Sequence, residues 1–270
     1  MLIKVGIQTV GPVTLTTVRL CLGALIFCLF MLWKREWIPM HKDALKLYFV
    51  VALIGNTLPF TLISVGEVHV DSSMAAILMG IMPITTFVLA HFFVSDEPMT
   101  IRKTIGISLG FVGLITLVGV SALQGLSMST IAELTILTAA LCYSFTTIFV
   151  RRQQSFKGYQ MATGVNIVAA LISIPMAFVF EDPMQMQPSF ESAAAIVVLA
   201  VFATTIASLI YFRVIANLGA TTFSQINYII PVLGSLWGVL LLGEILETRM
   251  IVALTLVLIG IYLIQTKRTT

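Results

Sequence analysis

Nine long apolar runs, separated by short breaks of polar residues, proline and glycine, constrain this chain more than any other feature. They fall near residues 12–33, 45–66, 72–94, 101–120, 130–150, 159–180, 193–213, 219–242 and 249–266. Each approaches the roughly 20 residues that an α-helix needs to cross a hydrocarbon core. Segments such as LCLGALIFCLFMLW and IVALTLVLIGIYLIQ are apolar on every face, whereas the strands of a membrane barrel alternate. Backbone groups in lipid have no water to bond, so helices are the spanning element here. With 59% hydrophobic and only 10% charged residues among 270, little chain remains for a water-soluble domain. The first run has its basic flank, Lys34 and Arg35, on its C-terminal side, so it reads as a retained span rather than a cleaved signal peptide.

Basic residues in short loops stay on the cytoplasmic side and set the orientation. Lys34, Arg35, Lys42, Lys46, Arg102, Lys103, Arg151, Arg152, Lys157, Arg213, Lys267 and Arg268 all fall in one alternate set of breaks. The other set holds Arg249 and is acidic, with Glu67, Asp71, Glu181, Asp182, Glu191, Glu244 and Glu247. This places the C-terminus in the cytoplasm and, with nine spans, the N-terminus outside. The formal net charge of +3 is too small a surplus to suggest nucleic-acid binding. Cys21, Cys28 and Cys142 lie in apolar runs and read as packing residues, not as a disulfide or metal framework.

The chain also repeats itself. The segment Ser72–Gly113 can be laid over Ala220–Gly260, with Pro83 matching Pro231 at a shift of 148 and Glu97 matching Glu244 at a shift of 147. Upstream, Gly11 matches Gly158 and Arg19 matches Asn166 at the same shift of 147. The two Pro-bearing helices run in opposite directions across the membrane, so the halves form an inverted repeat of the kind transporters carry.

A Pro-containing helix, a short loop with an acid and a Gly-rich helix, present twice, resemble the drug/metabolite transporter superfamily, specifically its EamA type. The resemblance covers essentially the whole chain. It implies ten helices arranged as five plus five, both termini in the cytoplasm, and a central cavity between the halves. This sequence departs from that pattern at its start. Only MLIKVGIQTV precedes Gly11-Pro12, and this looks like the tail of the family's first helix, so either the true start lies upstream or the form is a shortened one.

A polar side chain inside a bilayer is costly, which makes function its default explanation. Arg19 lies about seven residues into its run, roughly 10 Å below the boundary at 1.5 Å per residue. Its guanidinium suits a carboxylate or phosphate bidentately; snorkelling to the interface is the competing role. Asn56 sits mid-span in GNTLPF, where Pro59 frees a carbonyl. Asn166, Gln225 and Asn227 are further candidates for the solute path, with interhelical hydrogen bonding as the alternative. Tyr143, Tyr211 and Tyr228 offer a stacking face and a hydroxyl, or serve as packing and interface anchors. Pro83 and Pro231, broken-helix positions in matching places, are the candidate hinges. Gly106 and Gly110, like Gly234 and Gly238, have the GxxxG spacing that brings helices together, within the chain or between two copies in a homodimer. Glu97 and Glu244 are expected to cap the helices that follow them.

The twelve acids all fall at or near span ends, so the sequence predicts no carboxylate deep in the membrane, an argument against organic-cation/proton antiport. His41, His69 and His91 are scattered, HExxH and GxxxxGK[ST] are missing, and neither a metal site nor P-loop ATP hydrolysis is expected.

The sequence therefore predicts an all-α polytopic membrane protein of two inverted repeats, 1–125 and 126–270, with about five helices each and a truncated first helix. It predicts a secondary transporter, not an enzyme, that exports small amino-acid-like, anionic or zwitterionic metabolites by alternating access. No cofactor is implied. The expected partners are a small-molecule substrate and membrane lipid, and the expected location is the cell (inner or plasma) membrane. Two rivals remain at this level. An intramembrane lipid-modifying enzyme would need an acid, histidine or metal cluster at one face. A non-transporting truncated subunit would follow if the missing helix is truly absent.

Overall fold

The computed structural model describes residues 1–93, 100–123, 127–151, 158–214 and 226–265, with side chains described at these positions except 117–123, 151, 226–229 and 265. All regular structure among them is helical. In chain order the elements are α1 (Leu2–Gly6), α2 (Pro12–Lys34), α3 (Lys42–Val50), the wide-turn segment π1 (Val51–Thr57), α4 (Leu58–His69), α5 (Ser72–Met79), α6 (Met82–Phe93) and α7 (Ile101–Leu123). There follow α8 (Met128–Arg151), α9 (Gly158–Phe180), α10 (Phe190–Val198), π2 (Leu199–Ile206), α11 (207–214), α12 (Ile226–Leu242) and α13 (Thr248–Gln265). Pro12–Lys34, Lys42–His69, Ser72–Phe93, Met128–Val150, Gly158–Phe180 and Phe190–Val214 are long and apolar enough to cross a membrane. Ile230–Leu242 and Thr248–Ile264 are shorter apolar helices. The chain has the fold of a multi-pass helical membrane protein.

Two compact units form, one from residues 2–68 and 149–223, the other from 69–148 and 224–270. Each joins a segment from the first half of the chain to one from the second.

In the first unit α2 packs along α9 and against π2, π1 packs on α9, and α1 on α10. The apolar core gathers Leu20, Phe27, Leu47, Tyr48 and Val165, all nearly or fully buried. Gly164 lets the Tyr48 ring lie against the backbone of α9: a Cβ there would sit 2.6 Å from the ring. The two π segments occupy equivalent places. Val51 and Leu199 begin them 148 residues apart, and the helices leading in, at Lys42 and Phe190, are offset by the same 148. In π1 the wide turn is closed by the Leu58 N–H donating to the Leu53 carbonyl. In π2 the hydroxyls of Thr204 and Thr205 donate to the carbonyls five residues back, Leu199 at 3.2 Å and Ala200 at 2.9 Å. Such wide turns cluster at functional positions in helices.

In the second unit α7 runs antiparallel to α13 in close contact. A Cβ on Gly106 would lie 2.6 Å from the Gly260 carbonyl oxygen, and one on Gly113 would lie 3.1 Å from that of Ala253. Gly234 of α12 meets Ala76 of α5 in the same way, at 2.3 Å. The GxxxG glycines Gly106 and Gly234 are thus engaged in packing within the chain.

The run at 72–94, expected as one span, is divided at Gly80 and Ile81. There the turn tightens, with the Gly80 N–H donating to Ile77 O at 3.0 Å and that of Ile81 to Leu78 O at 3.2 Å. Pro83, with no N–H to offer, stands in the first turn of α6, a position that tolerates the loss. Thr85 and Ser144 close the corner: both hydroxyls reach the Met82 carbonyl at 3.0 Å and lie 2.5 Å from each other. Pro231 instead sits inside the continuous helix α12. Pro231 packs against the break that precedes Pro83, because a Cβ on Gly80 would lie 3.0 Å from Pro231 Cγ.

Candidate functional site

Helix α2 begins at Pro12 after an extended Gly11 that supplies no side-chain cap. Its first free amides are taken by a carboxylate from far along the chain: the N–H groups of Val13 and Thr14 donate to Glu181 Oε1 at 3.0 Å and Oε2 at 2.8 Å. A bidentate anion at a helix N-terminus satisfies orphan donors and complements the helix dipole. This clamp fixes the depth at which Arg19, on the third turn of α2, is presented.

Arg19 is 5% exposed. Its Nε donates to Thr204 Oγ1 at 2.6 Å and one terminal nitrogen donates to Ala203 O at 3.2 Å, both in π2. The guanidinium lies 3.8 Å over the centroid of the Phe60 ring in α4. Thr204 in turn donates to Leu199 O, so its lone pairs face the cation. Gly23, one turn beyond Arg19, lets α2 pack closely on Asn166 Oδ1, Thr204 Cγ2 and Thr205 Oγ1, which a Cβ would meet at 3.5, 3.1 and 3.6 Å.

Asn166 of α9 is fully buried and its Nδ2 donates to Ala162 O at 2.8 Å. Among the described residues no donor reaches its Oδ1. Asn56 is half-buried in π1, four residues before Phe60. Around this cluster run further polar contacts within the unit. Thr17 Oγ1 donates to Ser173 O at 2.9 Å, Thr57 Oγ1 to Ala169 O at 3.4 Å, and the Thr16 and Ser64 hydroxyls stand 3.4 Å apart. The result is a cluster of buried hydroxyls, the Asn166 amide and the Arg19 guanidinium between helices that are otherwise apolar. It can present a positive charge, several acceptors and an unused carbonyl oxygen to a small polar solute.

The structure packs Arg19 and, one turn on, Gly23 against π2, with Asn166 of α9 beside Gly23, and places Asn56 on the wide turn leading to Phe60. Tyr143 is half-buried on α8, in the other unit. Tyr211 is half-buried and stacks edge-on with Phe212, ring centroids 5.0 Å apart. Gln225 and Glu97 lie outside the described residues, as do the side chains of Asn227 and Tyr228. Thr204, Thr205, Phe60 and Glu181 were not singled out from the sequence. A signal for Thr204 existed: it stands 148 residues after Asn56, the same offset that pairs Pro83 with Pro231.

One expectation is corrected. Glu244 does not cap the helix that follows it. Its carboxylate accepts the N–H groups of Ser72 at 2.8 Å and Ser73 at 2.9 Å, closing the N-terminus of α5 as Glu181 closes that of α2. Loop geometry decides this, because the αL residue Gly243, at φ +67°, turns the chain back toward α5. Burial pushes the Glu244 carboxyl up, but the hydrogen bonds from Ser73 and Ser72 outweigh it and hold the group below the usual carboxylate range. Glu133, the sixth residue of α8 and so near a span end as expected, is only 2% exposed, and Glu67 only 5%.

Comparison with known proteins follows the same outline. The EamA-like transporter family matches the chain twice, over residues 1–119 and 130–266. The uncharacterized transporter YoaV of Bacillus subtilis is 25% identical over 96% of this chain and 89% of its own length. An S-adenosylmethionine/S-adenosylhomocysteine transporter of Chlamydia trachomatis is 26% identical over 97% of this chain and 83% of its own length. A crystal structure sharing 17% identity superposes with a TM-score of 0.69 over 96% of this chain and 90% of the other, a likeness of fold. With both halves of its sequence matched, this chain belongs to the EamA-like transporter family.

Proposed function

We propose that this transporter moves small amino-acid-like solutes, anionic or zwitterionic, by alternating access, and that it exports them across the cell membrane with its C-terminus in the cytoplasm. The observation that carries the reading is Arg19, a cation buried in α2 and held by neutral acceptors on π2. A permanent charge held by a hydroxyl and a carbonyl can exchange those partners for a solute carboxylate, and a guanidinium forms its strongest bonds to such anions. Asn166 Oδ1, without a donor in this state, would accept from the solute's ammonium group. Asn56, Gln225, Asn227, Tyr143 and Tyr228 are proposed to line the rest of the path. The names of the chlamydial relatives favour this class, since S-adenosylmethionine carries an amino-acid head group.

The reading takes the chain as two inverted repeats, 1–125 and 126–270, which suits alternating access; the 148-residue offset of the π segments supports it. Pro83 at a helix corner and Pro231 inside α12 serve in this reading as the hinges. Replacing either by alanine should slow turnover more than it weakens solute binding; equal losses would speak for packing alone. The basic residues crowded into one set of loops support the cytoplasmic C-terminus.

The deciding experiment is untargeted mass spectrometry of medium from cells producing this chain, against cells producing an Arg19→Ala, Asn56→Ala double variant at matched membrane levels. A solute enriched by the parent chain alone establishes export and identifies the substrate. Equal media from both refute export, and uptake of labelled S-adenosylmethionine by the same cells then reads the opposite direction.

A further inference from the structure

Glu133 is the sixth residue of α8, about 8 Å along the helix from its start. It is 2% exposed, and among the described residues no donor reaches its Oε2. The residues three and four positions on, Ile136 and Leu137, pack into an apolar cluster with Val70, Met74, Met250 and Ala253. A buried carboxylate left in such a place must either hold a proton or find a cation.

The cation is at hand. Arg249 immediately precedes Met250 of α13, which packs in one cluster with Ala132 and Ile136, the residues beside and one turn beyond Glu133, and its charge acts on the Glu133 carboxylate. Its Nε nevertheless donates to Glu247 Oε2 at 2.5 Å, and the Glu247 side chain is 57% exposed. Arg249 thus has two carboxylates within its influence, one buried and one solvated. The other charged groups on the described elements around this cluster include Asp71 at the start of α5, Glu244 on the amides of that helix, the Met1 amino group, whose charge acts on Glu244, and His69 beside Val70. Arg102, Lys103 and Tyr262 stand at the opposite ends of α7 and α13, which run antiparallel.

We propose that Glu133 is the proton-binding site of this chain, and that exchange of Arg249 between Glu247 and Glu133 couples proton movement to solute movement. In one state Glu133 carries the proton and Arg249 pairs with Glu247. In the other, the Glu133 O–H bond breaks, the proton passes to water, and Arg249 turns to the carboxylate left behind, so the buried charge is never uncompensated. The ligand class is the proton itself, and the coupling half rests on the transport reading above.

The test reads the proton directly. Infrared difference spectra of the purified full chain in lipid are recorded across the physiological pH range in light and heavy water, for the parent chain and for Glu133→Gln. The expected result is a carboxylic-acid carbonyl band that changes with pH, shifts in heavy water and is missing from Glu133→Gln. Arg249→Gln should move the midpoint of that change, because a cation beside a carboxylate favours its charged form. A band unchanged across this range, or the same band in Glu133→Gln, overturns the proton site. The second arm loads vesicles containing the chain with labelled S-adenosylmethionine. A pH gradient should accelerate its movement in the parent chain and leave the rate unchanged in Glu133→Gln. Solute movement indifferent to the gradient in both overturns the coupling. No movement in either refutes the transport reading, while the infrared band still decides the proton site.

Discussion

Replacing Arg19 by methionine separates a residue kept for function from one kept for stability. Among the contacts the side chain gives the fold are hydrogen bonds to Thr204 at 2.6 Å and Ala203 at 3.2 Å, and a ring contact at 3.8 Å with Phe60. Interhelical hydrogen bonds in membrane proteins average about 0.6 kcal/mol and reach about 1.7. A cation over a ring adds about 0.5–2 kcal/mol. The total, about 2–5 kcal/mol, stands against an insertion cost of about 2.5–3.5 kcal/mol for arginine at mid-helix. Gain and cost nearly cancel. Methionine keeps an unbranched, adaptable stem in the same space, so Arg19→Met should change stability by no more than about 1–2 kcal/mol. At about 2–4 °C per kcal/mol, the melting temperature should move by only a few degrees.

Solute binding should respond quite differently. A lost hydrogen bond to a charged partner is worth about 1.5–3 kcal/mol, and at about 1.4 kcal/mol per tenfold the affinity should fall by about 10- to 150-fold. The assay pairs a thermal melt of the purified chain with binding of the exported solute to the same sample. A melting temperature lowered by more than about 10 °C with unchanged affinity would refute the reasoning, because Arg19 would then be a structural residue.

Three further outcomes test other parts of the structure. Gly106→Ala places a Cβ 2.6 Å from a backbone oxygen of α13, so α7 must move outward, and the melt should report a loss of about 1–3 kcal/mol. Since Glu244 is held below the usual carboxylate range by the amides of α5, its stabilising effect is present above the unfolded pKa and fades as pH falls through the lower folded value. Glu244→Gln should therefore lower the melting temperature at neutral pH and flatten its fall toward acid; an unchanged acid limb would exclude the clamp. Thr204→Val removes the acceptor for Arg19 and the donor to Leu199 while keeping volume, so it should weaken solute binding along with Arg19→Met, and the double variant should lose less than the sum of the two.

The glycines show where sequence reading stops. GxxxG spacing announced close approach, yet Gly106 faces Gly260 on a helix roughly 150 positions away, a pairing that spacing cannot specify. Similarly, Pro83 announced a break, while the tightened turns at Gly80 and Ile81 and the closure by Ser144 depend on where α8 comes to lie. Glu133 was legible as an acid near a span end. Only packing made it buried, because residue depth along one helix says nothing about which face its neighbours cover.

What the sequence determined by itself is everything that follows from the solvent. Long apolar runs in lipid must be helices, basic loops favour one side, and a polar residue such as Arg19 inside a run demands partners. An offset of 148 residues also separates the start points of π1 and π2. The tertiary structure decided who those partners are. Thr204 and Phe60 meet Arg19 from segments far apart in the chain, Asn166 comes up against Gly23 one turn on, and Glu181 and Glu244 close helix ends at a distance of about 170 residues. The physical reason is that apolar helices pack almost equally well in many registers, so hydropathy fixes the elements. Only the satisfaction of the few buried polar groups, each costly when unpaired, selects one arrangement among them.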